Sequence, residues 1–179
     1  MTRIYSTKKL QGLIGNVETE LPEDNKTRSL TDWNSHLFFV DKRKCLIFIN
    51  NLTYYSIFIA DIFKKDLAHI DKIFFLRLNE QLRHDKIINN SESIESIFQV
   101  NGLKFYRTNN DRRTIGRIND FVYMFKTHCL YKYDHLKNMD IVYENGLINT
   151  TPTGKPDELK KSWSSPVQNM FEIKNQRTT

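Results

Sequence analysis

The chain has 179 residues, a mean hydropathy of −0.56, a net charge of +6 and a pI of about 9.2. Its twelve Phe and eight Tyr residues exclude a disordered protein, and its length suffices for one domain with its own core. No segment approaches the roughly eighteen apolar residues of a membrane span, so we expect a cytoplasmic protein without a membrane partner. The basic charge is compatible with nucleic acid or another polyanion.

The N-terminal part predicts a strand, a short helix and a long loop. Arg3–Ser6 is the strand. Thr7 is a suitable N-cap for a helix over Lys8–Ile14, and Gly15 is a natural stop. The polar segment Asn16–Asp32 is predicted to be a surface loop.

Three apolar runs follow, separated by short polar turns. They are His36–Val40, Cys45–Ile49 and Tyr54–Ile59. Short connections of this kind predict an antiparallel meander. The middle run is apolar at every position, as expected of a central strand that is covered on both sides.

Two long helices are predicted from apolar residues spaced by three and four positions. The first lies within Asp61–His84 and the second within Arg113–Tyr131, and the strand Leu103–Arg107 precedes the second. We therefore predict an α+β fold, with an antiparallel sheet of about four to five strands and both long helices packed on one face. Residues 1–133 would form this single domain.

The C-terminal third is less regular. Two apolar segments flank Glu144-Asn145-Gly146, which predicts a small hairpin within an extension over residues 134–149. From Thr150 the chain is rich in Thr, Pro, Lys and Ser, so residues 150–179 are predicted to be a flexible tail. Within this tail, Trp163 and Met170-Phe171 are predicted to dock back on the domain or on a partner.

Motifs for catalysis, metals and cofactors are absent from the sequence. The five histidines form no HxH or HExxH pattern, and Cys45 and Cys129 sit in apolar runs without a CxxC partner. No Walker A, GxGxxG or GxSxG motif occurs. We therefore predict no metal, no cofactor and no catalytic residue. The alternative is a small metal-independent, nuclease-like enzyme or toxin using His and Arg.

The segment Thr108–Asp120 is the best candidate for a binding site. It follows a predicted strand and opens a helix, where free backbone N–H groups attract anions and arginines bind phosphate. Between Leu103 and Lys132 there are seven basic and two acidic residues, an excess of five in a chain of net charge +6. The predicted nucleic-acid or anion-binding residues are Lys104, Arg107, Asn109, Asn110, Arg112, Arg113 and Arg117, with Arg43 and Lys44 as a second basic cluster.

Two alternatives remain open for this segment. In one, it is the phosphate-binding surface of a non-catalytic module, and Arg43 and Lys44 extend it if they lie beside it. In the other, Asn110 or Asp111 caps the helix and Arg112 or Arg113 forms an ion pair. A third functional class is a protein-interaction adaptor that uses the aromatic tail.

Several motifs resemble a family. They are Thr7-Lys8-Lys9-Leu10, Arg43-Lys44-Cys45 at the start of an apolar strand, and Thr-x-Asn followed by Arg-x-x-x-Gly-x-x-Asn within Thr108–Asp120. The chain resembles an uncharacterised bacterial domain-of-unknown-function family over about residues 1–132. The resemblance implies members fused to plasmid and mobile-element proteins, and it implies no activity or cofactor. Asp111 is inserted relative to the family pattern, so either Arg112 or Arg113 takes the family position.

Overall fold

The computed structural model describes residues 1–23, 28–98, 101–153 and 164–178. Short 3-10 turns and one π-helical turn, Cys129–Tyr133, connect some of the elements. No helix in these ranges is long and apolar enough to cross a membrane. The strands and helices are β1 (Thr2–Ser6), α1 (Lys8–Ile14), β2 (Asp32–Val40), β3 (Arg43–Asn50), β4 (Ser56–Ile59), α2 (Ile70–His84), β5 (Leu103–Arg107), α3 (Arg112–His128), α4 (Ile141–Asn149) and α5 (Pro166–Thr178).

The sheet has five strands in the order β4-β3-β2-β1-β5 and is mixed. The predicted meander is confirmed, because β2, β3 and β4 pair antiparallel. The prediction of a wholly antiparallel sheet is wrong, because β1 is parallel to both β2 and β5. The chain leaves β1 through α1 and returns to start β2 in the same direction, and such a crossover produces parallel neighbours.

The two long helices cover opposite faces of the sheet, so the prediction of both on one face is wrong. Leu46 and Phe48 of β3 join the core under α2, whereas the alternate residues Cys45, Ile47 and Ile49 join the core under α3. Successive side chains of a strand point to opposite faces. Because β3 is apolar on both sides, it requires a cover on each.

The core under α2 is built around aromatic residues. Trp33 is fully buried, meets Phe74 edge-on at 5.3 Å, and donates its indole N–H to the carbonyl of Leu30 at 3.0 Å. The helix begins only at Ile70, after a 3-10 turn over Lys64–His69, and Phe63, which precedes this turn, is 55% exposed.

The predicted hairpin at residues 141–149 is instead the helix α4. Asp140 caps it by accepting a hydrogen bond from the backbone N–H of Tyr143 at 3.0 Å. Asn145 and Asn149 lie one turn apart, and both bond Ser56 at the sheet edge. The side-chain amides thus take the place of a neighbouring strand for β4.

The last described segment also departs from the prediction of a flexible tail, because Pro166–Thr178 forms the helix α5. Met170 is fully buried in the core under α2, and the Asn169 side chain donates to the carbonyl of Thr53 at 3.1 Å. Phe171 is 47% exposed. Trp163 lies outside the described residues.

Both cysteines are free and buried, as predicted from their apolar surroundings. Burial raises the pKa of the Cys45 thiol to about 11, and it also raises the pKa of Cys129. Thiols held in this protonated state behave as small apolar side chains.

Candidate functional site

The start of α3 is closed by its own cap. One carboxylate oxygen of Asp111 accepts hydrogen bonds from the backbone N–H groups of Arg113 and Thr114, at 3.1 and 3.2 Å. The other accepts from the Thr114 hydroxyl at 2.9 Å. These are the donors that a bound anion would otherwise use. Asp111 therefore occupies the anion position at the helix start.

Arg28, from the preceding long loop, pairs with this cap. Its guanidinium lies 2.9 Å from Asp111 and donates to the carbonyl of Asn51 at 2.6 Å. The side chains of Arg28 and Asp111 are only 14% and 19% exposed. The capping role predicted for Asp111 is thus confirmed, and its ion-pair partner is Arg28.

The three predicted arginines at this end of α3 have different surroundings. Arg112 and Arg113 are exposed in the first turn. Arg117 is engaged: it donates to the carbonyl of Thr153 at 2.9 Å, and its guanidinium lies 5.8 Å from the ring centre of Tyr54. Arg112 and Arg113 are thus exposed side chains of the first turn, and Arg117 connects α3 to Thr153 after α4.

The predicted residues before α3 do not form one surface. Lys104 pairs with Glu18 at 3.2 Å, and this hydrogen bond and charge raise the pKa of Lys104. Arg107 is exposed three residues later on the same strand, so alternation directs it to the opposite side. Asn109 accepts from the backbone N–H of Asp111 at 3.2 Å. Asn110 is exposed with a φ of 55°, which Asn tolerates.

The second basic cluster lies at the far end of the sheet. Arg43 pairs with Asp61. It begins the eight-residue strand β3, whose other end, Asn50, leads to Asn51 beside the Arg28–Asp111 pair. A strand of this length spans about 24 Å. Arg43 and Lys44 therefore do not extend the basic start of α3.

A different surface emerges along the solvent side of α3. We define the α3 outer face as Arg112, Asn119, Tyr123, Lys126 and Leu130, flanked by Arg113 and Tyr131. Tyr123 is 71% exposed, Leu130 62% and Tyr131 81%. Apolar periodicity located the buried side of this helix, and the aromatic residues on its opposite side were the signal that was missed.

The end of this face is held by a buried carboxylate. Glu144 of α4 is fully buried and lies 2.5 Å from His128 and 3.2 Å from Lys132. It also accepts from the Tyr133 hydroxyl at 2.7 Å, and this bond raises the pKa of Tyr133 to about 12. These contacts hold the π-helical turn that presents Leu130 and Tyr131, and π-helical turns are frequent at functional sites.

The histidines are dispersed over the described chain. His36 bonds the Thr7 hydroxyl at 2.9 Å, and burial lowers its pKa. His135 lies 3.9 Å from Asp41. His128 is the last residue of the 17-residue helix α3, so about 24 Å separates it along the axis from Arg112. A site that combines His128 with Arg112 is excluded by this distance.

His84, like His128, adjoins a buried carboxylate, and His84 also lines a cleft. Its Nδ1 lies 2.9 Å from Oδ1 of Asp85, whose side chain is only 4% exposed. Asp85 also accepts from Tyr55 at 2.7 Å, Gln81 at 3.0 Å and Asn149 at 3.2 Å. Burial and the neighbouring Asp85 raise the pKa of Tyr55 well above its ordinary value.

We call the surrounding concavity the His84–Asp85 cleft. Its volume is about 210 Å³. The ring of His84 packs edge-on to Tyr143, with the ring centres 6.3 Å apart. Only the adjacent His-Asp pair was visible in the sequence, because Tyr55 and Asn149, which also bond Asp85, come from distant parts of the chain. The cleft is lined by His84, Asp85, Lys86, Tyr143, Gly146, Leu147, Thr150 and Val167.

Gly146 permits this close packing, which predicts opposite effects for two Gly→Ala substitutions. A Cβ at Gly146 would lie 2.6 Å from His84 and 2.9 Å from Asp85, whereas one at Gly116 of α3 would meet nothing within 4 Å. Gly146→Ala is therefore expected to destabilise the protein by about 1–3 kcal/mol. Gly116→Ala should stabilise it by about 0.5–1 kcal/mol through helix propensity. Urea denaturation measures both, and a stabilised Gly146→Ala would contradict the packing.

Comparison with known proteins finds one family. The model of a family described as "Domain of unknown function (DUF6933)" matches residues 3–169. The match extends past residue 132, where the resemblance placed its end. No curated protein and no solved structure matches the chain.

Proposed function

The chain belongs to the DUF6933 family of domains of unknown function, and we propose that it is a module that binds nucleic acid through the α3 outer face and catalyses no reaction at that face. Arginine and lysine side chains contact the phosphates, and the exposed tyrosines stack on bases. Two associations stay predictions, the bacterial origin and the link to mobile elements. The cytoplasmic location and the two alternative functions, a nuclease-like enzyme and a protein-interaction adaptor, also stay predictions.

The exposure of the aromatic side chains carries this proposal. Tyr123 of α3 and Tyr131 of the π-helical turn that follows are 71% and 81% exposed, and the other side of α3 packs on the core. Aromatic side chains in solvent are suited to stacking on bases, which contributes about 1–3 kcal/mol per base in single-strand binding. Clusters of exposed apolar surface on a folded chain mark interaction sites.

The charges of the same surface favour a phosphate-bearing partner. Arg112, Arg113 and Lys126 are exposed along it, and the nearby Asp120 is the acidic residue on this side. From Arg112 to Leu130 the face extends about 27 Å, at 1.5 Å per residue. Interleaved cations and aromatics over such a length match a short single strand better than a single anion.

The helix cap is compatible with nucleic-acid binding, but it changes which part of α3 contacts the partner. Asp111 and Arg28 neutralise each other and fill the N–H groups at the helix start. The partner is therefore bound by side chains along the helix and not by the helix terminus. This is the difference from the phosphate-binding helix start predicted from sequence.

Binding can be measured by the fluorescence anisotropy of labelled 12-nucleotide single-stranded DNA and RNA at about 50 mM salt. Tyr123→Ala/Tyr131→Ala is expected to weaken binding at least about tenfold, because up to two stacking contacts are lost. Arg112→Ala/Arg113→Ala should lower the slope of log K against log salt by about 1.4, at about 0.7 per phosphate.

The matched control is Phe171→Ala, which removes a 47% exposed aromatic residue of α5. It should leave nucleic-acid binding unchanged. No binding of either nucleic acid by the parent protein would refute the proposal. If only Phe171→Ala lost binding, the nucleic acid would contact α5 and not the α3 outer face.

A further inference from the structure

We propose that the His84–Asp85 cleft is a second functional site, in which His84 is the general base and acid for hydrolysis of small carboxylic esters. The cleft lies between α2, α4 and α5, and none of its lining residues belongs to the α3 outer face. The proposal is therefore independent of nucleic-acid binding.

The hydrogen bond to Asp85 assigns the roles of the two ring nitrogens. Nδ1 of His84 donates to the Asp85 carboxylate at 2.9 Å. The neutral ring then carries its lone pair on Nε2, which can accept a proton. None of the hydrogen bonds among the described residues uses Nε2. The carboxylate thus fixes both the tautomer and the orientation of a ring that is 37% exposed.

The buried network is complete without His84. Gln81 donates to one carboxylate oxygen of Asp85, and Tyr55 and Asn149 donate to the other. A carboxylate held by these three donors does not need a half-exposed imidazole for its own stability. The imidazole, in contrast, depends on the carboxylate for its position. Asp85 thus positions His84 but does not depend on it, as the carboxylate of a catalytic triad positions its histidine.

The cleft indicates the size and polarity of the substrate. Its volume of about 210 Å³ is smaller than the 300–1,000 Å³ of pockets for drug-sized ligands. Leu147, Val167 and Tyr143 contribute apolar surface to the lining, which also includes Lys86, a cation. A short apolar acyl group fits this surface, and an ammonium group can stabilise the oxyanion formed from an ester carbonyl.

The reaction uses water and regenerates the protein. Nε2 of His84 accepts a proton from a water molecule while the water oxygen forms a bond to the ester carbonyl carbon. When the tetrahedral intermediate collapses, the bond from that carbon to the alkoxy oxygen breaks. The proton on Nε2 passes to the leaving oxygen, which gives a carboxylic acid and an alcohol. General acid–base catalysis by one group typically contributes about 10²–10⁴-fold.

The test is the hydrolysis of 4-nitrophenyl acetate, butyrate and octanoate by the full chain. We expect the acetate and butyrate to be hydrolysed faster than the octanoate. His84→Gln should lower kcat/KM at least about 100-fold. The control His69→Gln replaces an exposed histidine in the turn before α2 and should leave the rate unchanged. Both variants are purified identically, which identifies any contaminating esterase.

Two further variants separate catalysis from folding. Asp85→Asn should lower kcat at least tenfold with little change in KM, because an amide no longer imposes the required tautomer, whereas a merely structural loss would reduce the fraction folded. Leu147→Trp fills the cleft and should abolish hydrolysis while the protein still folds. No hydrolysis above the buffer rate by the parent, or a rate for His84→Gln within twofold of the parent, would overturn the proposal.

Discussion

Asn149→Ala is expected to lower the free energy of unfolding by about 2–4 kcal/mol, because it removes the amide that completes the edge of the sheet. The Asn149 side chain accepts from the backbone N–H and the hydroxyl of Ser56, at 2.9 and 2.8 Å. It donates to the carbonyl of Ser56 and to Asp85. Alanine leaves the buried N–H of Ser56 without an acceptor and leaves a cavity beside Asp85.

The matched control is Asn119→Ala, which replaces an exposed asparagine on α3. Its effect should stay within about 0.5 kcal/mol, as is usual for surface substitutions. Guanidinium denaturation followed by circular dichroism gives both values. Equal midpoints for the two variants would show that α4 does not support the sheet edge.

Phe125→Ala is expected to cost about 3–5 kcal/mol, the usual range for removing a large buried aromatic side chain. Phe125 of α3 is fully buried and stacks on Phe58 of β4, with ring centres 4.4 Å apart. It also meets Phe38 of β2 edge-on at 5.6 Å. The three rings connect α3 to two strands, so alanine removes contacts that neighbouring residues cannot replace.

Tyr123→Ala, two residues earlier on the same helix, provides the comparison. Tyr123 is 71% exposed, so its loss should change stability by no more than about 0.5 kcal/mol. The same substitution is expected to weaken nucleic-acid binding. Thermal melts of both variants test whether Tyr123 is on the exposed side and Phe125 on the buried side of α3. Equal destabilisation of the two variants would contradict this placement.

The sequence predicts the candidate surfaces only in part, and the reason is physical. Charge is visible in sequence, so the basic residues of α3 were identified. Whether a charge faces a partner within the protein depends on residues far away in the chain: Arg28 is 83 positions from Asp111, and Glu18 is 86 from Lys104. In the His84–Asp85 cleft, Asp85 is bonded by Tyr55 and Asn149 from distant parts of the chain, and no local pattern joins these two residues to His84.

The sequence alone determined the strands of the meander, the two long helices and the burial of both cysteines, because local periodicity and apolar runs encode which side of an element avoids water. Only the tertiary structure decided that β1 and β5 run parallel, that α2 and α3 cover opposite faces, and that residues 141–149 form a helix. Strand direction and helix side depend on contacts between distant segments, to which local periodicity is insensitive. The hairpin was predicted wrongly because Glu144, Asn145 and Asn149 look like turn or surface residues. They are instead fully buried, satisfied by Lys132, Ser56 and Asp85 from elsewhere in the fold.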